Sequence, residues 1–329
     1  MTDASLTLLH PFETGSLEVP GDGPILILNA TETAVRGLKA DEVTAVQDFR
    51  PDYLRLERAG AHVLPEPAGE GYAMALVLCG RHRALNEHWL AEANARVRPS
   101  GLVVVAGSKT DGIDSLKKRV AAQTELLGQA SKHHGKVFWF SGNGTPTDAL
   151  PSVEVEGGFR TVPGLFSHDR IDAGSQLLAE HIPDDLFGAV ADLGAGWGYL
   201  SVAVTQKCRK VKRIDLFEAS FAAARSAEAN MKALAPGVES RTRWFDVTSE
   251  DAKALYDAIV MNPPFHTGRK GDPDIGIAMI EAAKQLLKPG GKLLMVANSH
   301  LPYEAALKSF SQSRELVRTG GFKVLGARK

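Results

Sequence analysis

Short apolar runs alternate with amphipathic stretches along the whole chain. Apolar runs of about four to eight residues between Gly, Pro or Asp are typical of buried strands, and an i, i+3, i+4 repeat is typical of helices. In the first half this pattern predicts strands at 24–29, 72–79, 102–106 and 136–140, and helices at 84–96 and from Asp114 toward Leu127. Strands that alternate with helices imply a mostly parallel sheet.

The second half repeats this rhythm more strongly. Strands are predicted at 189–193, 213–218, 243–246, 256–261 and 292–297, helices at 199–207, 222–234 and 274–287, and a closing hairpin at 315–325. Between the halves, residues 141–151 contain glycines and prolines that interrupt regular structure. We therefore predict two domains, residues 1–155 and residues 156–329.

One segment of each half resembles the other. Residues 98–108 and residues 288–298 both follow a predicted helix, turn through a Pro and a Gly, and enter a buried strand. Such a helix, turn and strand series is common in α/β folds, which is one explanation of the likeness. We favour the other explanation, a duplicated domain whose first copy has decayed. The catalytic motifs occur in one half only.

Composition narrows the class of protein without identifying it. The 329 residues are 44% hydrophobic and 23% charged, with a net charge of −1, which excludes a generally polybasic nucleic-acid binder but not a local basic surface. Cys79 and Cys208 have no Cys or His partner at metal-ligand spacing, so we expect reduced thiols and no metal. No apolar leader opens the chain and no run approaches the ~18 residues of a membrane span, so a cytoplasmic protein without a membrane partner is expected.

A glycine-rich motif lies between the predicted strand 189–193 and the helix that follows it. It reads Asp192-Leu-Gly194-Ala195-Gly196-Trp-Gly198. Closely spaced glycines let the backbone turn tightly and approach a ligand. The Gly-x-Gly-x-Gly form suits a nucleoside that carries an amino-acid tail, and Asp192 can face the ammonium group of a methionine tail. Glycine-rich strand-to-helix turns are frequent, so this motif alone is weak.

Acidic residues end the next two predicted strands. Glu218 stands 20 residues after the last glycine of the motif and can accept hydrogen bonds from both hydroxyls of a ribose. Asp215 is a poorer candidate because it lies inside the strand. Asp246 could accept a hydrogen bond from an adenine amino group, with Val247 against the ring. Capping of the polar residues that follow explains Asp246 equally well.

The motif Asn262-Pro263-Pro264-Phe265 follows the buried strand 256–261. Two prolines forbid a helix and make a stiff loop. An amino group on a conjugated ring is a weak nucleophile, and the Asn262 Oδ1 and Pro263 carbonyl oxygens can each accept one of its N–H bonds. Phe265 can stack on the ring, which is worth roughly 1–3 kcal/mol. We therefore assign Asn262, Pro263, Pro264 and Phe265 to catalysis, and we also count Asn262 among the cofactor-binding residues.

Together, residues 192–198 and 262–265 resemble the class I methyltransferases that act on exocyclic amines. More narrowly, the sequence is similar to the bacterial small-subunit ribosomal RNA guanine-N2-methyltransferases. The narrower likeness is carried by residues 163–169, 172–178, 262–268, 297–303 and 319–324. These segments span nearly all of residues 160–329.

This resemblance implies S-adenosylmethionine as cofactor and ribosomal RNA, or a small-subunit assembly particle, as partner. It implies an α/β fold of two tandem Rossmann-like methyltransferase domains, with a mostly parallel seven-stranded sheet in the C-terminal one and a degenerate N-terminal one. It also implies that Phe166, Ser167 and Gln176 help to enclose the cofactor. The first domain would aid folding or RNA contact, and residues 78–81 stand where its Asn-Pro-Pro would have been.

Three other functions compete with guanine-N2 methylation of ribosomal RNA. N6-adenine methylation of RNA or DNA uses the same Asn-Pro-Pro chemistry. Methylation of a protein glutamine amide favours Tyr after the two prolines, so Phe265 argues against it. An RNA-binding protein on an inactive methyltransferase scaffold would explain the first domain but not the motifs of the second.

Overall fold

The structure is a computed structural model that describes residues 4–253, 255–264 and 273–329. The chain folds into two units, Met1–Pro151 and Ser152–Lys329, and a seven-stranded sheet lies at the centre of each. Within the described residues, no helix is long and apolar enough to cross a membrane.

The first unit alternates strands and helices along the sequence. Its strands are β1 (Ile25–Leu28), β2 (Val43–Val46), β3 (His62–Leu64), β4 (Tyr72–Leu78), β5 (Val97–Ser108), β6 (Gly128–Lys132) and β7 (Gly135–Ser141). Its helices are α1 (Ala4–Glu13), α2 (Glu32–Leu38), α3 (Arg50–Arg58), α4 (Arg83–Arg96) and α5 (Ile113–Ala121).

The second unit opens with a small hairpin and then follows the same alternation. The hairpin strands are β8 (Val153–Val155) and β9 (Phe159–Thr161). The sheet strands are β10 (Phe187–Leu193), β11 (Lys210–Glu218), β12 (Glu239–Trp244), β13 (Tyr256–Met261), β14 (Leu287–Asn298), β15 (Gln312–Thr319) and β16 (Phe322–Arg328). The helices are α6 (Ala173–His181), α7 (Tyr199–Lys207), α8 (Phe221–Leu234), α9 (Pro273–Leu286) and α10 (Tyr303–Leu307).

The strand order of the two sheets is the same. It is β3-β2-β1-β4-β5-β7-β6 in the first unit and β12-β11-β10-β13-β14-β16-β15 in the second. In each sheet the first five strands of this order are parallel, and the last two form an antiparallel hairpin. The predicted fold class, two tandem Rossmann-like domains with a mostly parallel seven-stranded sheet in the second, is confirmed.

The two sheets also share a local irregularity. The β4–β5 pairing shifts register after Tyr72, and the β13–β14 pairing shifts after Tyr256. At the same place, Ser100 and Gly290 both adopt a positive φ, 64° and 78°. A shared strand order and a shared bulge support the duplication that the similarity of residues 98–108 and 288–298 suggested.

Side chains of the second sheet alternate between two apolar layers. Val190, Ile214 and Val260 pack with α6, α7 and α8, whereas Ala191, Phe217 and Ile259 pack with α9 and α10 on the opposite face. Because both faces are covered, the central strands are apolar at consecutive positions, as parallel strands usually are. This burial explains why the apolar runs located the central strands.

Several predicted elements end at other residues than the observed ones, for example the strands predicted at 102–106 and 292–297 within the longer β5 and β14, and two of these differences involve edge strands. The helix predicted from Asp114 toward Leu127 stops at Ala121, and edge strand β6 begins at Gly128. The strand predicted at 243–246 is β12, which ends at Trp244, so Asp246 lies beyond it. Both errors involve edge strands, whose exposed polar residues carry little hydrophobic pattern.

Packing of α9 on Tyr303 generates a stability prediction. A Cβ at Gly276 would lie 2.0 Å from the Tyr303 Oη and 2.3 Å from its Cζ, and the Tyr303 side chain is fully buried. Gly276→Ala should therefore destabilise the protein by about 1–3 kcal/mol through overpacking. Helix propensity alone would stabilise it by about 1 kcal/mol.

Urea unfolding of Gly276→Ala checks the prediction, since the steric and propensity effects have opposite signs. Ala278→Gly in the same helix is the reference variant and should cost about 1 kcal/mol from propensity. A Gly276→Ala protein more stable than the parent would contradict the close packing.

Candidate active site

The carboxyl ends of three neighbouring parallel strands, β11, β10 and β13, meet at one edge of the second sheet. Leu193, at the end of β10, pairs with Phe217 of β11 on one side and Met261 of β13 on the other. The connections that leave β10 and β13 run in opposite directions across the sheet. Such a switch point opens a crevice at the carboxyl ends, where α/β proteins bind ligands.

The glycine motif forms the floor of this crevice. Gly194, Gly196 and Gly198 have φ angles of 73°, 57° and 92°, which residues other than glycine rarely adopt. The Gly194 and Ala195 amides both donate to the Phe217 carbonyl, at 2.8 and 3.0 Å, which fixes the loop against β11. A Cβ at Gly196 would meet no atom within 4 Å, so the backbone there faces open space.

Asp192 lies beneath the glycine loop, on the face of the sheet that carries α7. Its Oδ2 accepts a 2.7 Å hydrogen bond from the Ser201 hydroxyl of α7. Its Oδ1 is buried and has no hydrogen-bond partner among the described residues. Burial raises the pKa of the Asp192 carboxyl to about 7; the Ser201 bond opposes this rise and the Glu218 charge adds to it.

Glu218 joins the glycine loop to the start of α8. Its Oε2 accepts from the Gly196 amide at 2.7 Å and its Oε1 accepts from the Ser220 amide at 2.8 Å. The rejected candidate Asp215 is buried inside the strand, where it accepts a hydrogen bond from Tyr256. The structure thus places Glu218, and not Asp215, at the crevice.

Asp246 is buried two residues after β12 and caps the turn that follows. Its carboxylate accepts hydrogen bonds from the Thr248 amide and hydroxyl and from the Ser249 hydroxyl. Val247 packs against the apolar layer around α9. The capping role is therefore present, and a role toward an adenine stays a prediction.

Asn262 follows β13 directly and contacts the start of α6. Its Nδ2 donates to Asp172 Oδ2 at 3.0 Å and to Ser175 Oγ at 2.9 Å. Among the described residues nothing donates to Asn262 Oδ1. Pro263 is buried and Pro264 is exposed. Phe265, His266 and Gly268 lie outside the described residues.

The segment before α6 lies beside the glycine loop. The indole nitrogen of Trp197 donates to the Phe166 carbonyl at 3.1 Å, and the Phe166 side chain is 59% exposed. Ser167 adopts a positive φ of 49° and donates from its hydroxyl to the Arg170 carbonyl. Gln176 is exposed on the first turn of α6. The structure brings Phe166 to the glycine loop, and cofactor contact by these residues stays a prediction.

Sequence reasoning missed Asn230, a buried residue of α8. Its Oδ1 accepts from the Arg160 amide at 2.8 Å, and its Nδ2 donates to the Arg160 and Trp197 carbonyls at 2.9 and 2.8 Å. Asn230 thereby ties the β8–β9 hairpin to the glycine motif. A polar residue among the apolar positions of α8 is the signal that could have revealed it.

The first unit keeps the same backbone frame but not the same side chains. Matching pairs in the two registers place Ile27 where the second unit has Asp192, and Asn29, with a φ of 55°, where it has Gly194. Leu78 stands at the Asn262 position. Apolar side chains, Ile27 and Leu78, thus stand at the positions of Asp192 and Asn262.

Gln47 takes the place of Glu218 in the first unit. Its Oε1 accepts from the Phe49 amide at 3.0 Å, as Glu218 does from Ser220, while its Nε2 donates to the Ala30 carbonyl. The side chain keeps its structural bond and loses its negative charge.

The crevice of the second unit fits a nucleoside joined to an amino acid. The unpartnered Asp192 Oδ1 suits an ammonium group, and Glu218 is held where ribose hydroxyls would lie. The open space above Gly196 leaves room for the backbone to approach the ligand. These residues fit S-adenosylmethionine.

Comparisons with known proteins agree with this geometry. Residues 156–326 match the family model described as Methyltransferase small domain. The ribosomal RNA small subunit methyltransferase C of Pseudomonas paraeruginosa is 30% identical over 274 residues, which cover 80% of this chain and 81% of that protein. The protein of the same name from Salmonella gallinarum is 33% identical and covers 69% and 67% of the two chains.

Other similarities cover different shares of the chain. The ribosomal RNA small subunit methyltransferase C of Shigella flexneri is 39% identical over 169 residues, so the matched part spans about half (48%) of that relative's length. A solved structure, the T. thermophilus 16S rRNA N2 methyltransferase RsmC in complex with AdoMet and guanosine, superimposes with a TM-score of 0.82 at 23% identity. It covers 99% of this chain and 91% of that one, and shows that the fold is shared.

The resemblance inferred from the sequence is thus confirmed by relatives that cover most of the chain. The chain belongs to the ribosomal RNA small subunit methyltransferase C family.

Proposed function

We propose that this protein transfers a methyl group from S-adenosylmethionine to the exocyclic N2 of a guanine in 16S ribosomal RNA. The observation that carries the proposal is the orientation of Asn262 at the switch point, with its amide nitrogen bound and its Oδ1 left as an acceptor. Guanine is favoured because the T. thermophilus relative was solved with guanosine and is named for guanine 1207. The equivalent guanine is the proposed target.

Asn262 and Pro263 would supply the chemistry at the guanine amine. The N2 lone pair is delocalised into the ring, so the amine is a poor nucleophile. Oδ1 of Asn262 accepts one N–H and the Pro263 carbonyl accepts the other, which directs the lone pair and stabilises the positive charge that develops on nitrogen. When bound, S-adenosylmethionine supplies an electrophilic methyl group. No strong base is required, because the methylated cationic amine loses its proton readily.

The remaining residues of the crevice would hold the cofactor. Asp192 pairs with its ammonium group, Glu218 accepts from its ribose hydroxyls, and Asp246 with Val247 borders its adenine. The glycine loop, at Gly194, Ala195, Gly196 and Gly198, lets the backbone approach it. Phe166, Ser167 and Gln176 enclose it from the side of α6, and Phe265 is proposed to stack on the guanine.

We assign catalysis to residues 156–329 and a non-catalytic role to residues 1–155. Ile27 and Gln47 support this division, because the first unit has no carboxylate at the two positions where the second has Asp192 and Glu218. Loss of both charges removes the partners of a cationic, ribose-bearing cofactor. The proposed role of residues 1–155 is to aid folding or to contact RNA.

The proposed partner is 16S ribosomal RNA, free or within a small-subunit assembly particle, in the cytoplasm. A guanine in a helix must leave its stack to reach Asn262, at a cost of a few kcal/mol, or must come from a loop. RNA that is incompletely assembled meets this condition more readily than a closed helix.

Labelled transfer to RNA tests the reaction. The protein should move tritium from labelled S-adenosylmethionine to 16S ribosomal RNA, and digestion should place the label in N2-methylguanosine. Naked RNA and small-subunit particles are compared in parallel to choose between the two partners. Label in N6-methyladenosine instead would contradict the proposed product.

Two single substitutions separate the substrate side from the cofactor side. Asn262→Ala should lower turnover by at least about 100-fold while cofactor binding persists, because it removes an acceptor used in the transition state. Gly196→Arg should abolish cofactor binding, because the arginine side chain would fill the open space above the loop. In addition, this position has a positive φ, which arginine rarely adopts. Calorimetry measures binding and the labelled assay measures turnover; full activity of Asn262→Ala would refute the mechanism.

The pKa of Asp192 generates a pH prediction. With a pKa of about 7 in the free protein, this carboxyl is neutral below that pH and anionic above it. A cationic ammonium binds the anionic form, so cofactor affinity should rise through about pH 7 and fall below it by up to about tenfold per pH unit. Calorimetry across this range checks the trend. Asp192→Asn should bind weakly and without this pH dependence; a wild-type affinity that is flat across the range would argue against the contact.

A further inference from the structure

We propose that Asp172 and Ser175 are positioning residues that hold the side-chain amide of Asn262 with its nitrogen toward α6 and its oxygen toward the substrate amine. The inference rests on the proposed function and deepens it. It assigns a role in the reaction to the start of a helix 87 and 90 residues before Asn262.

The two hydrogens of the Asn262 amide are both used. One is donated to Asp172 Oδ2 at 3.0 Å and the other to Ser175 Oγ at 2.9 Å. A carboxylate without its proton only accepts hydrogen bonds, so Asp172 can face the amide nitrogen of Asn262 but not its amide oxygen. The Asp172 contact therefore selects one of the two orientations of the amide, and the Ser175 contact helps to hold the amide in place.

The alternative orientation would be unfavourable at both ends. Rotation of the amide by a half turn would place Oδ1 about 3.0 Å from the Asp172 carboxylate, where two acceptors would repel each other. The same rotation would present N–H groups to a guanine amine that also has only N–H groups to offer. An amide free to rotate would thus spend part of its time in a form that cannot bind the substrate nitrogen.

Asp172 is itself held by the helix that it starts. It is the N-cap of α6, and its Oδ2 also accepts a 2.8 Å hydrogen bond from the Ser175 backbone amide. One turn of helix thus presents both acceptors at a fixed spacing. Gly174 lies between them, and a Cβ there would come within 3.0 Å of the Phe322 ring, so this turn packs closely on β16.

Two substitutions remove the acceptors separately and keep the helix start. Asp172→Ser keeps an N-cap residue for α6 but is too short to reach Asn262. Ser175→Ala removes one acceptor, and Ser175→Thr restores a hydroxyl at the same position. Ser311→Ala is the matched control, because the Ser311 side chain is exposed and its hydroxyl donates one hydrogen bond, to the Arg328 carbonyl.

Kinetics on 16S ribosomal RNA or small-subunit particles give the first readout. We expect kcat to fall about tenfold in Ser175→Ala and up to about 100-fold in Asp172→Ser, while the Kd for S-adenosylmethionine from calorimetry and the melting temperature change little. Ser175→Thr should recover most of the wild-type kcat, and Ser311→Ala should match wild type. Wild-type kcat in both Asp172→Ser and Ser175→Ala would overturn the proposal. A kcat that falls only with the melting temperature, without recovery in Ser175→Thr, would overturn it as well.

The second readout does not depend on activity. The side-chain amide resonance of Asn262 in a ¹⁵N spectrum is identified by its loss in Asn262→Ala. Its hydrogens should exchange slowly in the wild type and faster in Asp172→Ser and Ser175→Ala. Unchanged exchange in both variants would overturn the positioning. If the wild type labels no guanine but the amide responds as expected, the proposed function fails and the orientation of Asn262 stands.

Discussion

The two hydrogen bonds from Gly194 and Ala195 to the Phe217 carbonyl are the contact on which the site depends. They fix the turn after β10 against the end of β11, at the point where the strand order reverses toward β13. Because parallel strands end at the same edge, this turn brings Asp192, Glu218 and Asn262 to one crevice although 70 residues separate the first from the last. A tight turn with positive φ at each glycine is what makes the arrangement possible.

The first unit shows that the frame and the chemistry are separable. It keeps the strand order, the bulge after Tyr72 and the amide-to-carbonyl bond at the end of β1, where Ala30 donates to Val46. At the positions of Asp192 and Glu218, however, it has the uncharged side chains of Ile27 and Gln47. Gln47 is the clearest case, because it still bonds the backbone as Glu218 does while it lacks the charge. The fold of the first unit therefore does not depend on these two carboxylates.

The sequence was most informative where burial is complete on both faces. The bounds predicted for 256–261 and 199–207 are those of β13 and α7. Gly198 marks the start of α7, and the apolar run of β13 ends at Asn262-Pro263. Edge strands were missed or misplaced, as β6 and β12 were, because exposed polar residues carry no such pattern. Asp246 was left between two roles for a related reason, since a cap and a ligand contact call for the same residue type.

What the sequence could not reveal is which side chains orient the catalytic ones. Motif spacing identified Asn262, but nothing local to Asn-Pro-Pro determines which way its amide faces, because the prolines stiffen only the backbone. The orientation is set by Asp172 and Ser175, which belong to a helix start and meet Asn262 only through the fold. The Asn-Pro-Pro loop and the capped start of α6 thus act together on the orientation of the Asn262 amide. A substitution at residue 262 has to keep a hydrogen-bond donor, and a substitution at residue 172 or 175 has to keep an acceptor that faces it. Substitutions in the loop and at the helix start are therefore coupled.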